Sequence, residues 1–127
     1  MTTNVIPLGF SEAPLVHCDA IETLQASLGQ EPGRDVVERA VFEISDRLCK
    51  LELAFHAGDM EVVGRVSASL VCMSTQIGLL VFADVARGLA IAIGENQPVT
   101  AAALAWRLLR LGETSLFCAV ELADRSG

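Results

Sequence analysis

The sequence predicts an all-α fold: an antiparallel four-helix bundle with a short extra N-terminal helix. Three observations carry that prediction. Apolar residues recur at alternating spacings of 3 and 4 through four separate stretches, which is the period of a helix face and not of a strand. The stretches are divided by brief punctuation at Pro32-Gly33, Gly58-Asp59, Gly78 and Gly94–Pro98, and connections this short make consecutive helices antiparallel neighbours. Leu, Ala and Val dominate a chain that is 52% hydrophobic but only 5% aromatic, a composition suited to helix packed on helix. At 127 residues the chain suits one domain with a substantial core, read as an irregular lead-in over 1–16 and a bundle over 17–127.

Each element has its own warrant. Pro7, Gly9 and Pro14 keep the lead-in irregular. A short helix follows over Cys18–Leu28, with Ile21, Leu24 and Leu28 on one side and Gly29 ending it. After a break at Pro32-Gly33, the first long helix runs from about Arg34 to Ala57. It buries Val37, Val41, Ile44, Leu48, Leu51 and Phe55, and its remaining surface is charged and solvated. Gly58 takes the left-handed C-terminal conformation and Asp59 caps the next helix, which extends to Gln76. A third helix, about Leu79–Ile93, has Leu79, Phe82, Ala86, Leu89 and Ile93 in its core stripe. Its outer positions Leu80, Val81, Gly88 and Ile91 leave only Asp84 and Arg87 charged, so it is either sandwiched or an interface. Pro98 opens the last helix, about Val99–Ala123. There Leu104, Leu108, Leu111, Cys118 and Leu122 form one stripe beside Leu109, Leu116 and Val120, with Gly112 and Ser115 loosening the middle.

The second long helix is the informative one. Val63, Val66, Leu70, Met73 and Ile77 make its inward stripe, so Glu61, Gly64, Arg65, Ala68, Val71, Cys72 and Thr75 point outward. A solvated face carries charges along its length, whereas this one has two at its start and then only small or apolar groups. Such a face suggests contact with a partner, a second copy of the chain, or the chain's own N-terminal segment.

Composition and motifs narrow the function. A formal charge of −7 argues against nucleic acid or an anionic membrane as partner. The apolar run Ile77–Ile93 is short for a membrane span and holds Asp84 and Arg87 near its middle. The N-terminal residues lack the basic start of a secretory signal, so a cytoplasmic location is expected. Cys18, Cys49, Cys72 and Cys118 are widely spaced and read as reduced, buried or half-buried thiols. His17 precedes the first helix, and His56 ends another, where an imidazole caps carbonyls and suits the helix dipole. Arg107 and Arg110, on one side of the last helix with Glu113 a turn later, read as a solvated ion-pair face. No metal-ligand spacing, phosphate loop or nucleophile motif is present, so neither enzyme, metal nor cofactor is expected.

The order of elements, and above all LCKLELAFHAGDMEVVGRVSASL (Leu48–Leu70) and QIGLLVFADVARGLAIAI (Gln76–Ile93), resembles the histidine-containing phosphotransfer domain of multistep phosphorelays. The resemblance runs from about Cys18 to Ala123. In that family the second helix of the pair carries H-x-L-K-G ahead of an I-G or L-G break. Aligned on Gly58-Asp59 and Ile77-Gly78, this chain reads Ala68-Ser69-Leu70-Val71-Cys72, matching only at the Leu. Ala68 stands where the phosphorylated His belongs and Val71 where the Lys does. An alanine methyl accepts no phosphoryl group and a valine offsets no charge. The resemblance therefore implies a non-catalytic phosphotransfer-like domain in a two-component pathway. It would bind a receiver domain or histidine kinase through Glu61, Gly64, Arg65, Ala68, Ser69, Val71, Cys72 and Thr75, with Arg65 steering toward an acidic pocket. Leu80, Val81 and Ile91 would extend that surface or form a dimer seam. The alternative is a homodimeric structural or interaction bundle with no role in phosphate signalling.

Overall fold

A computed structural model of the chain describes Ala26 and residues 28–126. Among them are four long helices: α1 (Gln30–Ala57), α2 (Met60–Gln76), α3 (Leu80–Gly94) and α4 (Pro98–Ser126). They pack in a ring in which α1 neighbours α2 and α4, and α3 neighbours α2 and α4, each pair antiparallel. The wall made by α1 and α4 is therefore opposite the wall made by α2 and α3. Of the expected short helix, only Ala26 and Leu28 are described, and both are helical. The rest of it and the lead-in lie outside the described residues, as do His17 and Cys18.

Gly29, at φ 91°, separates Leu28 from α1, and the Gly33 amide already donates to its carbonyl at 2.9 Å. Helix α1 thus starts ahead of Pro32-Gly33 and not after it. Proline is harmless there because an amide in the first turn has no partner within the helix to lose. At the other end Gly58 adopts φ 78°, and its amide reaches back to Ala54 and Phe55. Asp59 then caps α2, accepting from the Val62 amide at 3.4 Å. Gly78, at φ 79°, makes the tight reversal into α3.

The core is built from Val37, Ile44 and Leu51 of α1, Val63 and Leu70 of α2, Phe82 and Leu89 of α3, and Leu108 and Leu111 of α4, all 2% exposed or less. Burial of each contributes about 1.5–3 kcal/mol. Two stripes are rotated from the sequence expectation. In α2 the fully buried line is Val63, Ser67, Leu70, Ser74 and Ile77, while Val66 and Met73 are half-buried beside it. In α4 the buried line runs through Ala101, Ala105, Leu108, Gly112, Ser115, Ala119 and Ala123, with Leu104, Cys118 and Leu122 half-buried. Small residues occupy the points of closest helix approach and large ones straddle them, so a pattern of large apolar groups points slightly off axis. The buried hydroxyls cost little, since Ser67 donates to the Val63 carbonyl at 2.7 Å and Ser74 donates to that of Leu70.

Helix α4 runs unbroken through Gly112 and Ser115, which do not loosen it. The reason for glycine at 112 is proximity: a Cβ there would lie 2.5 Å from Leu48 Cδ1 of α1. The outer face of α1 also differs from expectation. Phe42 and Leu53 stand on it largely exposed among the charges.

Candidate functional site: the outward strip of α2

With the buried line of α2 fixed, its solvent face follows from 3.6 residues per turn. Glu61, Arg65, Ala68, Cys72 and Thr75 are exposed; Gly64, Ser69 and Val71 are half-buried at the edges. Gly64 belongs to the contact with α3, where an added Cβ would meet Ile93 Cγ2 at 3.3 Å. Val71 packs against the core. The strip therefore centres nearer Cys72 than Ala68, about 40° round from the expected axis, because serines and not large residues lie at the middle of the buried face. Ala68 remains exposed.

The chemistry of the strip is sparse. From Val66 to Gln76 there is no ionisable carboxylate or base. Arg65, one turn before Ala68, makes no ion pair among the described residues. Thr75 Oγ1 donates to the Val71 carbonyl at 2.7 Å, and Ser69 Oγ leans on Met73 Sδ at 3.5 Å. Cys72 carries a free, exposed thiol. Cys49 is likewise exposed and Cys118 half-buried, so two of the described thiols are more open than their spacing suggested.

The other residues singled out by sequence lie elsewhere. His56, the only histidine among the described residues, is at the far end of α1. Its Nε2 is 4.0 Å from Glu52 Oε2, and its ring meets Trp106 edge-on at 6.3 Å. The Gly58 amide, not the imidazole, satisfies the helix end. On α3, Leu80 and Val81 are half-buried and Ile91 is exposed; the Asp84–Arg87 ion pair, at 2.7 Å, stands on the outer face between Leu80 and Ile91. Arg107 and Arg110 do not share one open face. Arg107 turns, half-buried, into the groove against Val81 and Val85, whereas Arg110 points to solvent.

Among the described residues, no group of three His, Cys, Asp or Glu side chains is placed to hold a metal ion, and no helix is long and apolar enough to cross a membrane. One open cleft of about 480 Å³ lies at the bundle end, between Phe55, Met60, Ile93 and Pro98, with the amides of Asn96 and Gln97 at its rim. It contains no titratable group.

No family model matches the chain, and no curated protein matches it. Among solved structures, it is similar to the crystal structure of histidine-containing phosphotransfer protein B from Pseudomonas aeruginosa PAO1. The two share 19% sequence identity over 90% of this chain and 98% of that one, with a TM-score of 0.80. At that identity the likeness establishes the fold: the chain is an all-helical bundle built like a histidine-containing phosphotransfer protein.

Proposed function

We propose that this chain is a non-catalytic, phosphotransfer-like domain that binds a receiver domain or a histidine kinase in a two-component or phosphorelay pathway. The observation that carries the reading is Ala68, exposed on a strip that carries no charge beyond Arg65, on a bundle of this architecture. A phosphoacceptor needs an accessible lone pair and a neighbouring base or cation. Ala68 has neither. Ser67 is buried, and Ser69 and Thr75 have no base beside them. The Cys72 thiol is two turns from Arg65, about 10 Å along the helix. What the strip does offer is close approach: small side chains with little rotamer entropy to lose, and one cation to orient an acidic partner.

The test uses purified receiver domains and histidine kinases from the same genome. The expected result is saturable binding by at least one of them, with no acid-labile phosphoryl label passing to this chain. Ala68→Arg should abolish that binding while helix content and thermal midpoint stay put, because an exposed Ala-to-Arg change shifts stability by no more than about 0.5 kcal/mol. Acid-labile label on the wild-type chain would overturn the non-catalytic assignment. Failure of every receiver and kinase to bind would overturn the pathway.

A further inference from the structure

The wall opposite the α2–α3 side carries the largest exposed apolar groups of the bundle's middle. Phe42 and Leu53 on α1 are 73% and 72% exposed, and Trp106 and Phe117 on α4 are 51% and 63% exposed. Three contacts fix how the two helices lie alongside each other. Arg34 reaches Asp124 at 3.9 Å, Leu48 fills the space over Gly112, and the His56 ring meets Trp106. This register brings Phe42 level with Phe117 and Leu53 within a turn of Trp106. The four side chains form two apolar rungs. In each helix the two residues are 11 positions apart, three full turns, which returns them to the same face about 16 Å apart.

We propose that this wall is a self-complementary seam that binds a second copy of the chain. An axis of two-fold symmetry lying in the face, across the helices and midway between the rungs, sets Phe42 on Leu53 of the second copy. It sets Phe117 on Trp106 in the same way. On α4 the charges between the rungs obey the same axis. Arg110 and Glu113, both exposed, are equidistant from the midpoint of α4, so each meets the opposite charge across the seam. An unrelated partner would gain nothing from that internal symmetry, whereas an isologous dimer requires it.

Size agrees. At about 200 Å² per large side chain, the four expose roughly 500 Å² of apolar surface, divided between the two rungs. That is more than half of the roughly 800 Å² per partner that stable interfaces cover. Because this wall is opposite the α2–α3 side, the dimer leaves both Ala68 strips open. The inference does not depend on what docks there.

Sedimentation equilibrium on the full chain tests it. A dimer is expected, converted to monomer by Phe42→Glu or Trp106→Glu with unchanged circular dichroism, and untouched by Ala68→Arg. Arg110→Glu and Glu113→Arg should each raise the dissociation constant at least about tenfold by facing like charges, and the two together should restore it. Interfaces of this size span micromolar to picomolar affinity, so a wild-type monomer at about 100 µM would overturn the proposal. A dimer indifferent to the two glutamate variants would overturn the face. A dimer weakened by both single charge changes but not rescued by their combination would overturn the axis.

Discussion

Gly112 of α4 lies under the Leu48 side chain of α1, and replacing it by alanine tests the register of the whole α1–α4 wall. Two effects oppose each other. Alanine in a helix interior is favoured over glycine by about 0.8–1 kcal/mol. The new methyl, however, would lie 2.5 Å from Leu48 Cδ1 and 3.6 Å from Phe82 Cε1. Phe82 is fully buried and at ordinary contact distance, so Leu48 must move. Leu48 meets the methyl with the free end of a half-buried side chain that can turn aside, so the overpacking cost falls near about 1 kcal/mol and roughly cancels the propensity gain. In a Leu48→Ala background, itself weakened by about 2 kcal/mol, the obstruction is gone. There Gly112→Ala should stabilise by about 1 kcal/mol through helix propensity alone. The assay is urea unfolding followed by circular dichroism for the four members of the cycle, with the slope on denaturant held constant. The expected coupling is about 1 kcal/mol, with Gly112→Ala near neutral in the first background and stabilising in the second. Equal effects in both, within about 0.5 kcal/mol, would show that Leu48 does not occupy the space over Gly112. The two apolar rungs would then lose their alignment as well.

Other substitutions separate backbone, core and surface. Gly58→Ala should cost about 1–2 kcal/mol in the same unfolding assay, and the cost is purely conformational: φ is 78° and nothing lies within 4 Å of an added Cβ. Leu70→Ala, at a fully buried site, should cost about 3–5 kcal/mol, a loss read as a lower urea midpoint at constant slope. Ser67→Ala should stay within about 1 kcal/mol of wild type, since the Val63 carbonyl it relieves keeps its helical amide partner. A large loss there would mean that the hydroxyl has a second, structural partner. Ala68→His, an exposed change, should leave the urea midpoint unmoved to within about 0.5 kcal/mol, so any change in labelling by a phosphorylated receiver would report chemistry and not folding.

The elements were legible because their punctuation is chemical. Gly58 and Asp59 have the conformations that a left-handed end and a cap require, and Gly78 has the positive φ of a sharp reversal. The α1 stripe was also legible: Val37, Ile44 and Leu51 are fully buried and Val41, Leu48 and Phe55 flank them, because large residues do the packing in that helix. Where glycine, alanine and serine do it, hydrophobicity is a poor guide. Ser67, Ser74, Gly112 and Ser115 are buried for their small size, a property that no scale of apolar character ranks. The rungs at Phe42, Leu53, Trp106 and Phe117 were missed for the converse reason. Each stands singly among polar neighbours, and only the pairing of α1 with α4 brings them together.

A rotation of about 40° in α2 does not undo the assignment made to its far side, because it leaves Ala68 in solvent. The explanation is the width of the buried face. The half-buried flanks, Val66 and Met73 on one side and Gly64 and Val71 on the other, confine the open arc to the positions between them. A rotation within that arc shifts its edges first. Gly64 and Val71 accordingly move toward α3, and Cys72 takes the centre, while Glu61, Arg65 and Ala68 remain on the outside. The identity of an edge residue thus depends on packing detail that periodicity does not encode. The identity of a residue well inside the arc depends only on the helical repeat and on which side meets the core, and both are written in the spacing of Val63, Leu70 and Ile77.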